Sequence, residues 1–125
     1  CTTSTHDMNP VRAWWEEDRQ VTERFWHEML GGHGDAPYYC EPWICRQILD
    51  QHHWSPAMLT VLPLQDWLSM DPALRRQNPN EERINVPANS RHYWRYRMHL
   101  TVEKLASASD FNETLSGMIA ACGRK

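Results

Sequence analysis

A short polar run near the beginning of the chain carries side chains suited to holding hydroxyl groups. His6 and Asp7 follow the Thr-rich residues 1–5 and precede Asn9-Pro10. A carboxylate can accept two hydroxyl hydrogen bonds, and the adjacent imidazole can donate or accept one. However, Asn-Pro is typical of a helix start, so the same pair could equally serve helix capping. Taken alone, His6-Asp7 is compatible with either a hydroxyl-binding site or a cap.

A second polar pair, Gln65-Asp66, follows the apolar run at residues 58–64. Such a run is typical of a buried strand, and Pro63 marks its end. In α/β barrels, polar residues that follow a strand point toward the active-site face. We expect Gln65 and Asp66 to brace the rim of such a face rather than to bind a ligand. Asp66 could pair with an arginine at position 83, 95 or 97.

The helices and strands that must position these residues can be predicted from the spacing of apolar residues and from the Gly, Pro and Asn residues that end them. The sequence predicts strands at 1–5 and 58–64, helices at 10–30, 42–52, 90–99 and 110–122, a helical turn at 67–70 and a long loop at 71–87. Asp110 is expected to cap the last helix. A strand–helix–strand order implies parallel strands joined by a crossover. We therefore expect an α/β fold in which residues 1–125 form the C-terminal portion of a (β/α)8 TIM barrel. As an isolated piece it would be mostly helical, with two short parallel strands followed by helices.

Composition excludes several classes of protein. The 125 residues carry a net charge of −3, which provides no basic surface for nucleic acid. No apolar run is long enough to span a membrane. The four cysteines lack CxxC spacing and are read as reduced thiols of a cytoplasmic protein, although Cys40 and Cys45 could be bridged in an exported one. Because the chain opens with Cys1 rather than Met, we expect it to be an excised or processed piece.

Four segments, taken in order, carry a family resemblance. They are THD at 5–7, PLQD at 63–66, ERINVPA at 82–88 and HYWRYR at 92–97. Together they resemble the 4-α-glucanotransferases of the amylomaltase and disproportionating-enzyme family, glycoside hydrolase family 77. The sequence of residues 92–101 is closer to the long variety found in plants and some bacteria than to compact amylomaltases. Compact members also have Gly where this chain has Ala88.

The resemblance implies a retaining transglycosylase that moves α-1,4-glucan segments between maltooligosaccharides or glucans. In that family an Asp nucleophile and a Glu acid/base act on the glycosidic bond, and a third carboxylate holds sugar hydroxyls in the transition state. Asp7 matches the third carboxylate, and His6 would contact the same sugar. Asn85 and Arg83 are the further substrate-binding candidates. The nucleophile and acid/base match no residue of this chain, so it should be inactive alone. Neither a cofactor nor a metal is implied.

Three other interpretations stay open. His27-Glu28 begins a zinc motif, but Gly31 occupies the position of its second His. A non-catalytic carbohydrate-binding module could use the seven tryptophans as platforms, and a helical interaction module could use them only as core. We expect Trp14, Trp15 and Trp26 to be core. Removed from a barrel, the piece would expose apolar surface and could self-associate.

Overall fold

A computed structural model describes residues 1–124, and the chain folds there mainly as α-helices. These are α1 (Val11–Trp15), α2 (Arg19–Glu28), α3 (Pro42–His53), α4 (Leu64–Ser69), α5 (Val102–Ala106) and α6 (Ser109–Ala121), with a 3₁₀ helix at Pro79–Glu82 between α4 and α5. Across residues 1–124 no β-strand is formed. The predicted helical character is confirmed, whereas the two predicted strands are absent from this part of the chain.

The predicted single helix at 10–30 is wrong, because it divides into α1 and α2. Asp18 has an extended backbone and its carboxylate accepts bonds from the amides of Gln20 and Val21 at 2.9 and 3.3 Å. This N-cap begins a second helix. The Thr22 hydroxyl secures the corner by donating to the Trp15 carbonyl at 2.6 Å.

The first of two apolar clusters lies where α1 and α2 pack against α3. Pro42 at the first position of α3 suits a helix start, and the predicted helix at 42–52 is confirmed within one residue. Trp15 and Ile44 are fully buried in this cluster, and Trp14 and Trp26 pack against it half-buried. The expectation that these tryptophans are core is confirmed for Trp15 and in part for the other two.

Residues 1–5 and 58–64 lie side by side without forming a ladder. The Cys1 amino group donates to the Leu59 carbonyl at 2.6 Å, and the Val61 amide donates to the Cys1 carbonyl at 3.0 Å. This is the bonding pattern of a parallel pair, as predicted, but it is confined to one residue position. The run is not buried, since Met58, Leu59 and Val61 are exposed. Two short segments alone do not make a stable sheet.

The second apolar cluster joins α4 to the C-terminal helices. Its buried members are Leu68, Leu74, Leu100 and Phe111. The predicted cap of the last helix was wrong: Ala108 precedes α6, and Asp110 lies inside its first turn.

The predicted helix at 90–99 is also wrong. The Arg97 carbonyl accepts from the Arg76 guanidinium at 2.7 Å, and the His99 ring bonds to the Leu74 carbonyl at 2.7 Å. These groups tie the segment to the preceding loop, and its backbone makes no helical turn.

All four cysteines are free thiols. Cys40 and Cys45 are buried at the start of α3 with their sulfurs 3.4 Å apart, so one thiol can donate to the other. That contact, together with burial, raises the pKa of the Cys40 thiol. Among the helices described here, none has the length and apolar character needed to cross a bilayer.

Candidate active site

The polar run at residues 5–7 forms an exposed turn. The Met8 amide donates to the Thr5 carbonyl at 3.1 Å, and the Asp7 amide approaches the Thr5 hydroxyl at 3.4 Å. The His6 Nε2 atom lies 3.4 Å from Asp7 Oδ1, with the two side chains 52% and 49% exposed. Both functional groups are therefore directed to solvent, where a ligand could reach them. They do not cap α1, whose first residue is Val11.

The ERINVPA segment at 82–88 meets this turn through Asn85. The Asn85 side-chain amide donates to Asp7 Oδ1 at 2.6 Å, and its backbone amide donates to the His6 carbonyl at 3.0 Å. Two segments 78 residues apart are thereby joined at both side-chain and backbone level. A charge-assisted bond of this length fixes the orientation of the carboxylate.

Arg83 orders the same segment from within. Its Nε donates to the Asn85 carbonyl at 2.9 Å, while the His92 ring bonds to the Ile84 carbonyl at 2.9 Å. Arg83 therefore supports Asn85, which in turn binds Asp7. The structure brings all four predicted residues together, with Asp7, His6 and Asn85 in direct contact and Arg83 behind them.

An aromatic side chain completes the cluster. The Trp94 ring centroid lies 4.9 Å from that of His6, with the planes tilted by 45°, and Trp94 is exposed. Because residues 92–97 are not helical, the spacing of Trp94 and Tyr96 does not place their side chains on different faces of a helix. An exposed indole beside polar groups is a surface on which a sugar ring can stack.

Two hollows beside the cluster are lined by Arg83. One, of about 520 Å³, has Tyr38, Glu17 and His92 in its walls. The other, of about 430 Å³, is more apolar and is lined by Trp14, Phe25 and Met8 among others. Neither is lined by His6 or Asp7, so these hollows lie next to the carboxylate rather than over it.

Asp66 binds the residues on both sides of the turn. It does not pair with an arginine, so the pairing considered from the sequence was wrong. Its carboxylate is fully buried and accepts bonds from the Thr3 and Ser4 hydroxyls at 2.5 and 3.0 Å and from the Val11 amide at 2.8 Å. Burial raises the pKa of Asp66, and the Thr3, Val11 and Ser4 bonds oppose that rise. The geometry agrees with the bracing function that we expected of this residue.

A buried ion pair supports the ERINVPA segment at its first residue. Glu82 is 1% exposed and lies 3.9 Å from Arg12 Nη1, which also donates to the Arg76 carbonyl at 2.7 Å. The Gln65 amide donates to the Glu82 carbonyl at 3.4 Å. Burial raises the pKa of Glu82 to about 7, and Arg12 opposes this rise.

Sequence reasoning missed Arg12 and the partners of Asp66. Arg12 stands between apolar residues in α1, and a lone charge within an apolar helix stretch is a signal of a buried partner. Thr3 and Ser4 gave no such signal, because their hydroxyls suit a strand, a turn or a bond to a distant side chain equally well.

Across residues 1–124, no three His, Cys, Asp or Glu side chains converge as a metal site would require. The cluster itself presents a fixed carboxylate, an imidazole, an amide and an indole at the surface. Such groups bind a polyhydroxylated ligand through hydrogen bonds and stacking.

Comparison with known proteins defines the family. A family model described as 4-alpha-glucanotransferase, of glycoside hydrolase family 77, matches residues 1–102. The chain therefore belongs to the 4-alpha-glucanotransferase family. No solved structure matches the chain.

Two relatives illustrate the extent of the similarity. 4-alpha-glucanotransferase DPE2 of Oryza sativa subsp. japonica is 36% identical over 124 residues, which is 99% of this chain but 13% of the relative. 4-alpha-glucanotransferase of Chlamydia muridarum (strain MoPn / Nigg) is 31% identical over 120 residues, 92% of this chain and 21% of the relative. The chain thus spans about a fifth or less of the length of these curated relatives.

Proposed function

We propose that the protein containing this chain is a retaining 4-α-glucanotransferase, and that this chain supplies the C-terminal portion of its (β/α)8 barrel. The substrates are α-1,4-glucans and maltooligosaccharides, and the reaction needs no cofactor. The proposal is supported by family membership and by the parallel pair at Cys1 and Leu59–Val61. The expected cytoplasmic location, which followed from cysteine usage, stays a prediction.

One observation carries the assignment of the site. Asn85, from one family segment, donates at 2.6 Å to Asp7, from another. A helix cap would not need this bond, whereas a carboxylate that must meet two sugar hydroxyls benefits from a fixed orientation. We assign Asp7 as the carboxylate that stabilises the transition state and His6 and Asn85 as its neighbours in substrate binding. We assign Arg83, which lines the adjacent hollow, as a further substrate-binding residue.

The chemical contribution of Asp7 is electrostatic. As the transferred sugar flattens toward an oxocarbenium ion, hydrogen bonds from its hydroxyls to the carboxylate strengthen. Such differential binding raises kcat more than it lowers KM. The nucleophile and the acid/base of a retaining mechanism would come from outside these 125 residues, so the chain alone should be inactive.

Replacement of Asp7 in the intact protein tests this assignment. Asp7→Asn keeps the shape of the side chain but removes its charge, so kcat for maltotriose disproportionation should fall by several orders of magnitude while the fold is retained. Glucose release and chain-length redistribution measure the rate, and circular dichroism measures folding. Asp35→Asn, at an exposed position in the loop before α3, is the matched control and should have near-normal activity.

Near-normal turnover by folded Asp7→Asn would refute the role of Asp7. The alternative, a non-catalytic carbohydrate-binding or helical interaction module, predicts no disproportionation by the intact wild-type protein. The same assay therefore decides between the enzyme and the module.

A further inference from the structure

The turn that carries His6 and Asp7 is short, exposed and has few internal bonds. Within residues 5–8 it is closed by the bond from the Met8 amide to the Thr5 carbonyl. A turn at the surface with so little internal structure does not by itself hold a carboxylate to the tolerance that catalysis needs. Apart from the bond from the Asn85 amide to the His6 carbonyl, its geometry depends on what holds its two ends.

Both ends of the turn are bound to the same carboxylate. On the N-terminal side, the Thr3 and Ser4 hydroxyls donate to Asp66 Oδ2 at 2.5 and 3.0 Å. On the C-terminal side, the Val11 amide donates to Asp66 Oδ1 at 2.8 Å. Each oxygen of Asp66 thus holds one end of the segment that contains Asp7.

Asp66 is itself held rigidly. It lies in the first turn of α4, is fully buried, and its carbonyl accepts a bond from the Ser69 hydroxyl at 2.5 Å. Leu68, two residues further along α4, is fully buried in the second apolar cluster. Displacement of this carboxylate would therefore require movement of the packed helix.

We propose that Asp66 is a positioning residue, which fixes the Thr5–Asp7 turn by binding Thr3 and Ser4 on one side and Val11 on the other. It touches no substrate and acts through Asp7, so the inference rests on the proposed function. Asn85 sets the direction of the Asp7 side chain and holds the His6 carbonyl, whereas Asp66 holds the two ends of the backbone segment that carries Asp7. Loss of this anchorage lowers kcat more than it raises KM, because the Asp7 contact is made mainly in the transition state.

The test removes the two hydroxyls and leaves Asp66 in place. Thr3→Val with Ser4→Ala, in the intact protein, deletes both bonds to Oδ2 at almost unchanged volume. We expect kcat for maltotriose to fall about tenfold or more, with a smaller change in KM, since a misplacement of about 1 Å can cost about 100-fold. Asp66→Ala, which also frees Val11, should lower kcat further.

Thr22→Val is the matched control. Thr22 is a fully buried threonine whose hydroxyl donates to the Trp15 carbonyl, remote from Asp7. Its replacement should lower the melting temperature as much as the double substitution does, yet leave kcat near the wild-type value. All assays are run well below the melting temperature, with the folded fraction verified by near-UV circular dichroism.

A second readout separates positioning from general destabilisation. In an Asp7→Asn background, the Thr3→Val and Ser4→Ala pair should produce no additional loss of kcat, because there is no longer a carboxylate to position. A further loss equal to that in the wild-type background would overturn the proposal. Wild-type kcat in the folded double variant, or an equal kcat loss in Thr22→Val, would also overturn it.

Different results would refute the function assigned to Asp7 and the positioning role of Asp66. Normal turnover by Asp7→Asn refutes the function assigned to Asp7 and the positioning role with it. Inactive Asp7→Asn combined with a fully active Thr3→Val, Ser4→Ala variant refutes only the positioning role. If the double variant does not fold, Ser4→Ala alone removes one buried bond and is judged by the same criteria.

Discussion

Glu82 lies buried at the start of the segment that presents Asn85 to Asp7. The charged groups that face it are Arg12 and Arg76, which favour its ionised form, and Asp66, which disfavours it. Burial outweighs the arginines and raises the pKa of Glu82 from 4.5 to about 7. The folded protein therefore holds this proton more tightly than the unfolded chain does.

This difference in proton affinity predicts a pH-dependent stability. Because the folded pKa is the higher one, the contribution of Glu82 is fully present below the unfolded pKa and is lost as pH rises through about 7. The melting temperature of the intact wild-type protein minus that of Glu82→Gln should therefore decrease between about pH 5 and about pH 8. Differential scanning calorimetry measures both values.

Glu81→Gln, on the exposed side of the same 3₁₀ helix, controls for the loss of one carboxylate. A melting-temperature difference for Glu82→Gln that rises with pH, or that equals the Glu81→Gln difference at every pH, would contradict the prediction.

At the scale of residues, the sequence named the four members of the cluster but not what holds them. Asp7, His6, Arg83 and Asn85 were selected through the family resemblance, and the structure places them together. The Asp66 contacts could not be predicted, because a carboxylate can bind an arginine or a hydroxyl, and only tertiary packing decides which is nearby.

At the scale of elements, the start of α2 depends on a single side chain. The Asp18 carboxylate satisfies two of the amides that a helix leaves free at its first turn. Asp18→Ala should weaken α2 by about 1 kcal/mol, equivalent to roughly fivefold faster amide exchange across Arg19–Glu28. Hydrogen exchange followed by mass spectrometry of peptides from this helix measures the effect.

Asp110→Ala provides a comparison within the same chain. Asp110 was expected to cap the last helix but lies inside the first turn of α6, where it makes only a favourable interaction with the helix dipole. Its replacement should speed exchange across Ser109–Ala121 by less than Asp18→Ala does for α2. Equal effects in the two helices would contradict the assignment of Asp18 as a cap.

The helices could be predicted where local sequence signals agreed. The predictions were wrong where contacts between distant segments determined the backbone conformation. Pro42 and the apolar spacing located α3 within one residue. The aromatic run at 90–99 has helix-like spacing, but it is tied to the loop at 71–77 by the Arg76 side chain on the Arg97 carbonyl and the His99 ring on the Leu74 carbonyl, which no local pattern reveals. The apolar run at 58–64 is typical of a strand, yet burial of a strand requires neighbours on its face.

At the scale of the whole molecule, a group of apolar side chains that line one hollow is left exposed. We define the 54–61 surface by the side chains of Trp54, Met58, Leu59 and Val61, of which Met58 is 92% exposed. A contiguous apolar surface of this kind promotes association. The isolated 125-residue chain should therefore self-associate as its concentration rises, as measured by light scattering.

Replacing Met58 and Leu59 by Gln should shift that association to higher concentration. Met29→Gln removes another exposed methionine, after α2, and should leave association unchanged. A monomer at every concentration tested would contradict the prediction, and equal effects of the two sets would show that the 54–61 surface is not responsible.

The bonds that build the site join distant parts of the chain, and this has a kinetic consequence. Thr3 and Asp66 are 63 positions apart, and Asp7 and Asn85 are 78 apart. Closing such long loops costs entropy that is recovered only after the intervening helices have packed. During synthesis, His6 and Asp7 emerge before Asn85, and Thr3 and Ser4 emerge before Asp66. The geometry of the cluster is thus among the last features to mature, although His6 and Asp7 are among the first residues of this chain to be made.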